Sequence, residues 1–263
     1  MDLTPAFFDR WREHRELEYM DKVAEVFDQS EPDSEWLPGA QRRTRAMEAH
    51  ATLRLAGIQV GELEGVIAVF DGQTEDVGSV DVAAVTTYAA AHDVAVAAAR
   101  QQAAVTPALI DDLHARLCGG AGGDTPDRST DAALAALCDW LAGPPDGLHP
   151  VVVTALAHLE LLRMRRWADG NARLARLTLL LLLDRSGYSY HELLAPSLAW
   201  RDPRKLPDQP AEQLSPEVAE IQPGVERVVH DLARAVRDMV AWVRAEEFPG
   251  TWQEMLFGFP LQP

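Results

Sequence analysis

Two stretches, His149 to about Arg166 and Ala172 to Ser186, carry helical periodicity and are rich in apolar residues. A helix that is apolar around most of its surface has to be covered from several sides. The pair is therefore expected at the centre of the fold, with the rest of the chain wrapped around it. Trp167-Ala168-Asp169-Gly170-Asn171 joins the two. No run of alternating apolar and polar residues reads as a strand, and helical spacing accounts for the remaining segments. The expected class is all-α, a helical bundle built on a central helix–loop–helix with a C-terminal helical extension.

Around that centre, residues 5 to 28 read as one charged helix with Phe8, Trp11, Val23 and Phe27 as buried candidates, ended by Pro32 and the Pro38-Gly39 pair. A second helix runs from about Arg42 to Leu55 and stops at Gly57, a good C-terminal residue. Gly61 to Asp71 reads as a short helix on Leu63, Val66, Ile67 and Phe70. Asp81 to Gln101 follows, with Val82, Val85, Tyr88, His92 and Val94 at helical spacing. Thr106-Pro107 opens the next, Thr as N-cap and Pro in the first turn, with Leu109, Leu113 and Leu117 on one stripe. A Gly/Asp/Pro loop from Gly119 to Thr130 leads into Asp131 to Ala142. After Pro196 the chain is Pro-rich through Pro223, carries a helix from Val225 to Glu247, and ends in Trp252, Phe257 and Phe259. The expected organisation is an N-terminal helix in residues 1–40, a core in 41–195, and an extension in 196–263 packed on that core.

Charge narrows the partners. The 263 residues hold 24 Lys+Arg against 41 Asp+Glu, a formal net charge of −17. Nucleic acid and anionic membrane surfaces are disfavoured, since like charges repel and no counterions would be released. Two cysteines, Cys118 and Cys138, exclude a disulfide framework or thiolate cluster and fit a reducing cytoplasm. The run Leu177 to Leu183 falls far short of the roughly 20 residues that span a bilayer, and Met1-Asp2-Leu3-Thr4-Pro5 does not begin a secretory signal. The histidines show no ligand spacing, so zinc is unsupported. His158, about two turns before the loop, reads first as a buried core histidine and second as a group bordering the loop.

The chemistry-bearing stretch is Arg165-Arg166-Trp167-Ala168-Asp169-Gly170-Asn171-Ala172-Arg173-Leu174-Ala175-Arg176. It delivers Asp, Gly and Asn to a helix N-terminus, where free N–H groups and the positive end of the dipole favour an anion. Arg173 and Arg176, three apart, share a face and suit phosphate or carboxylate oxygens. Asp169 is a candidate ligand for a divalent metal such as Mg that bridges phosphates. Taken alone, Asp-Gly-Asn is better explained by a capped interhelical turn with two surface arginines. Six arginines (Arg163, Arg165, Arg166, Arg173, Arg176, Arg185) within 23 positions of an acidic chain favour a focused anion pocket.

This stretch resembles the signature of the Fic family, His-Pro-Phe-x-x-Gly-Asn-Gly-Arg-x-x-Arg, set between two central helices. Leu148-His149-Pro150-Val151 is similar to the usual entry into the first of them, and the helix ending at Ser186-Gly187-Tyr188 to the second. Thr106 to Leu117 is similar to the helix before the family's target-docking flap, and Glu48 to Ile58 to its regulatory segment. The resemblance covers about residues 40 to 195. It implies a Fic-like bundle in which Asp169 holds a metal while Gly170, Asn171, Ala172, Arg173 and Arg176 cradle phosphates. A nucleotide or adenosine-containing ligand is the implied cofactor class.

The departures fall on the reacting groups. The family's general base is the motif histidine; that position is Arg165, whose guanidinium, with a pKa above about 12, does not accept a proton. Arg166 and Trp167 replace Pro and Phe, and Ala172 replaces the second Gly, at a cost on the order of 1 kcal/mol if that position needs a positive φ. Ala56 stands where the family's inhibitory Glu is expected in Thr52-Leu53-Arg54-Leu55-Ala56-Gly57, and a Gly-rich loop follows Cys118 where the flap would begin. The leading reading is a repurposed Fic-like protein binding a nucleotide or other anionic small molecule, with Arg165 stabilising negative charge. Next stands a non-catalytic Fic-fold nucleotide sensor or partner-binding protein; on any of these readings a homodimer is a candidate assembly. A residual AMP transferase using His158 as base stands third.

Overall fold

The computed structural model describes residues 5–12, 14–29, 35–120, 126–200 and 221–245. Among these residues every regular element is helical. The helices are α1 (Pro5–Trp11), α2 (Arg15–Asp28), α3 (Leu37–Leu55), α4 (Leu63–Phe70), α5 (Val82–Arg100), α6 (Pro107–Leu117), α7 (Asp131–Ala142), α8 (Pro150–Met164), α9 (Asn171–Arg185), α10 (Pro196–Ala199) and α11 (Ile221–Ala245). Short 3-10 turns lie at Arg128–Thr130 and Ser189–Leu193.

The central pair is α8 and α9, packed against each other. Every α9 side chain from Arg173 to Leu183 is buried. Opposite faces of the pair feed two apolar clusters. Val151, Val152, Ala155, Leu156 and Leu159 of α8, with Leu179 and Leu183 of α9, meet α1, α2 and α11. Ala157, Leu161, Leu174, Leu177 and Leu181 meet α3, α4, α5, α6 and α7. The apolar density of both helices is thereby used on all sides, as the sequence requires.

Local signals explain several element ends. Asp81 accepts the Ala84 N–H at 3.0 Å and caps α5, and Thr106 accepts the Leu109 N–H at 3.2 Å and caps α6. At the end of α3, Gly57 takes φ 75°. The Ile58 N–H then reaches Leu53 O and the Gly57 N–H reaches Arg54 O, both at 3.0 Å, which satisfies two terminal carbonyls. His149 caps α8 through Nδ1, which accepts the Val151 N–H at 3.2 Å, while its Nε2 faces Asp21 Oδ1 at 3.1 Å and ties α8 to α2.

Three expectations need correction. Residues 5 to 28 form two helices, because His14 adopts an extended backbone (φ −99°, ψ 120°) and starts α2 afresh. Phe7 is buried in place of Phe8, which is half-buried. The Pro38-Gly39 pair opens α3 instead of ending the preceding helix: a proline in the first turn lacks only an N–H that has no helical acceptor. Trp252, Phe257, Phe259 and the Pro-rich residues 201–220 lie outside the described residues. Among the described residues one helix, Val82–Arg100, is long and apolar enough to cross a membrane by length and composition, with a mean hydropathy of 1.3; Val85, Tyr88, Ala91 and Ala95 pack it into the core.

Candidate functional site

The loop between α8 and α9 opens at a left-handed residue, Arg165 (φ 44°, ψ 46°), and closes at another, Gly170 (φ 80°). The backbone strain expected at Ala172 is absent, because Ala172 already lies within α9. It falls on Arg165 instead, where a left-handed non-glycine residue costs on the order of 1 kcal/mol. The Arg165 side chain is exposed.

Each remaining loop residue is held by a named contact. Asn171 Nδ2 donates to Trp167 O at 2.5 Å while its Oδ1 accepts the Trp167 N–H at 3.2 Å, so the amide braces the loop. Trp167 is buried and stacks on His114 with ring centroids 4.1 Å apart and planes at 11°. His114 Nε2 donates to Asp169 O at 2.9 Å, and Cys118 Sγ lies 3.5 Å from the same nitrogen. A β-carbon on Gly170 would sit 3.0 Å from His114 Nε2 and 3.2 Å from Cys118 Sγ. Left-handed backbone and close approach together require glycine there. Gly170→Ala is expected to lower unfolding stability by about 1–3 kcal/mol, read from urea midpoints at constant m.

Arg173 is 5 % exposed at the first turn of α9. Its Nη2 donates to Asp169 Oδ2 at 2.7 Å and its Nη1 to Leu117 O at 3.4 Å, while the buried Nε–H has no acceptor. Asp169 keeps a side chain that is 72 % exposed. As the single carboxylate in residues 165–176, it fits a divalent cation only where phosphate oxygens complete the shell. No group of three His, Cys, Asp or Glu suited to a metal occurs among the described residues.

Arg176 points away from the loop. Its Nε donates to Thr52 Oγ1 at 2.6 Å and its Nη2 to Thr52 O at 3.2 Å, both buried. Burial pulls its pKa down to about 10 against the opposing pull of Glu48. Ala56 is exposed at the end of α3, so the partner of Arg176 on this helix is Thr52, one turn earlier. Glu48, a further turn back, is 1 % exposed. It accepts from Ser197 N at 2.9 Å and Ser197 Oγ at 2.5 Å, and burial raises its pKa to about 7. His158 is also buried, its ring stacked on Trp200 at 5.3 Å, and burial lowers its pKa to about 4. It is neutral at pH 7 but walled off from a hydroxyl arriving through solvent.

The six arginines do not converge. Arg166 donates from Nε to Asp111 Oδ1 at 3.1 Å and from Nη1 to Asp131 Oδ1 at 2.5 Å, with Thr130 Oγ1 also accepting, and these carboxylates outweigh burial to raise its pKa. Its carbonyl accepts the Asp127 N–H at 2.8 Å. Arg166 thus bolts α6, through Asp111, and the start of α7, through Asp131, to the loop. Arg163 pairs with Glu160 at 2.9 Å, and Arg185 donates to Ala103 O at 2.5 Å. Arg173 remains at the loop beside Asp169, with Arg165 at its edge. Sequence reasoning missed His114 and Cys118; their i, i+4 spacing on α6 was the available signal.

No protein-family model matches the chain. Among curated proteins, the protein adenylyltransferase Fic of Drosophila willistoni is 40 % identical over 70 residues, 26 % of this chain and 14 % of that protein. A Fic family protein from Desulfovibrio desulfuricans G20 superposes with a TM-score of 0.67 at 22 % identity, covering 93 % of this chain and 77 % of the other. Fic-1 (residues 134–508) from C. elegans gives 0.65 at 17 % identity, over 89 % and 73 %. A Fic-domain-containing signaling protein from Bacteroides thetaiotaomicron gives 0.64 at 16 % identity, over 94 % and 100 %. The all-α architecture derived above is the one these proteins share.

Proposed function

We propose that this chain, which has the Fic fold, binds a nucleotide or another phosphate- or carboxylate-bearing small molecule on the loop from Asp169 to Arg176, and that the site serves small-molecule chemistry in place of AMP transfer to a protein. One observation carries the reading. Arg173 is held in a buried position at the first turn of α9 with an Nε–H that lacks an acceptor, and a buried donor left unpaired costs about 1–3 kcal/mol. An anion seated over the N–H groups of Asn171, Ala172 and Arg173 supplies that acceptor and meets the helix dipole. Mg is the metal that fits one exposed carboxylate plus phosphate oxygens. Arg165, exposed at the start of the loop, is the residue to which we assign the stabilisation of developing negative charge.

A second reading, a non-catalytic nucleotide sensor, is favoured by a different observation. His114 and His158 are both buried, and an arginine, Arg165, stands in the family's histidine position, so among the described residues no imidazole at the loop stands ready as a base. Thermal unfolding with ATP, ADP, AMP and phosphorylated metabolites, with and without Mg, tests binding. At least one is expected to raise the melting temperature, by about RT ln(1 + [L]/Kd) in stability, and Arg173→Ala is expected to abolish that shift. No shift across the panel overturns the proposal. Mass spectrometry of the bound ligand after incubation separates the readings: a changed ligand supports chemistry, an unchanged one the sensor.

A further inference from the structure

Away from the loop, a cavity of about 500 Å³ opens between α3, α4 and α5 beside Glu192, and it shares no lining residue with Arg165–Arg176. Its volume suits a small organic ligand. The apolar part comes from Val69 and Phe70 of α4 and from Val85, Ala89 and Val96 of α5, with His92 buried among them. The polar part is a set of guanidinium groups. Arg45 lies with its Cζ 5.6 Å from the Phe70 ring centroid. Its Nη2 donates to Asp93 Oδ1 at 2.5 Å, whereas the neighbouring Nε–H is buried without an acceptor. One side of its fork is therefore half filled. Arg42 pairs with Asp71 at 3.1 Å and Arg100 with Glu192, in contacts that involve at least one well-exposed partner. Exposed pairs of this kind contribute little to stability and exchange readily.

We propose that this cavity binds a small organic monocarboxylate with an apolar body. A carboxylate presents two coplanar oxygens, which match the Nε and Nη2 donors of Arg45 and would displace the exposed Asp93. Asp71 and Glu192 pair Arg42 and Arg100, so displacing Asp93 leaves an excess of a single positive charge, that of Arg45, for the ligand. That excess balances a monoanion and not a dianionic phosphate. The apolar wall accounts for the body, which stacks beside Phe70.

Calorimetric titration of the full chain with benzoate tests this, with benzyl alcohol as the neutral analogue and inorganic phosphate as the bare anion. Benzoate is expected to bind saturably with a Kd on the order of 1 mM, and the other two at least about tenfold more weakly. Arg45→Gln is expected to weaken benzoate by about tenfold or more, while Arg173→Ala leaves it unchanged. Should Arg45→Gln fail to fold, Asp93→Asn decides: it releases the occupied donor and is expected to tighten benzoate severalfold. Absence of saturable binding overturns the proposal. So do equal affinity for phosphate, indifference to both Arg45→Gln and Asp93→Asn, or loss of binding in Arg173→Ala.

Discussion

Replacing Arg176 with methionine is expected to raise the unfolding free energy by about 1–3 kcal/mol, seen as a higher urea midpoint at unchanged m. Arg176 is 8 % exposed, and burial takes its pKa well below the ordinary guanidinium value, to about 10, even with Glu48 nearby. A shift of that size disfavours the charged form in the fold by about 3 kcal/mol relative to water. Its hydrogen bonds to Thr52 recover part of this. Methionine fills a similar volume, needs no acceptor, and leaves Thr52 O still accepting the Ala56 N–H at 3.2 Å. The Thr52 hydroxyl can turn to its own helix backbone. A drop in stability would instead mean that the Thr52 contacts outweigh desolvation. If the gain is observed, the fold carries a buried cation at a cost in stability. The nucleotide-induced shift is expected to survive in the same variant, because Arg176 points away from the loop and meets Thr52.

The fold was legible because its signals are local and redundant. The apolar density of α8 and α9, the Asp81 and Thr106 caps, and Gly57 each follow from one or a few neighbouring residues. The break at His14 was not, because the charged stretch from Arg12 to Glu16 reads as a solvated helical face whether or not the backbone is continuous. The site was legible as a loop and not as a set of contacts. Asp169, Gly170 and Arg173 announce themselves by type and spacing, yet the fate of the neighbouring arginines is decided by residues far away in sequence. Arg166 is claimed by Asp111 and Asp131, and Arg176 by Thr52, 124 positions upstream. Composition counts charges; it does not say which carboxylate each guanidinium meets. The same limit hid Glu48, whose partner Ser197 comes from the short α10 beyond the expected core boundary.

Glu48→Gln is expected to turn a nearly flat pH–stability curve into a sloping one. In the parent, Glu48 has a pKa of about 7 in the fold against 4.5 for the free side chain. The folded state therefore holds a proton that the unfolded chain has released, and this contribution is full below 4.5 and lost as pH rises through 7. His158 runs the other way: about 4 in the fold against 6.5, so its contribution is full above 6.5 and lost as pH falls through 4. Each amounts to about 3 kcal/mol across its window. Between 4.5 and 6.5 the two slopes are opposite and of similar size, and they cancel. In the variant, whose amide does not titrate, the His158 slope stands alone, and stability is expected to fall by about 3 kcal/mol from pH 6.5 to pH 4. Urea unfolding of parent and variant at matched pH values checks this, since subtracting the curves removes every other titrating group. A difference curve that stays level from 4.5 to 7 would show that Glu48 ionises at its ordinary value and that Arg176, not the proton, neutralises it. The physical root is the geometry around α10: Ser197 gives Glu48 two hydrogen bonds, and these together with Arg176 still fail to repay the burial of a full negative charge.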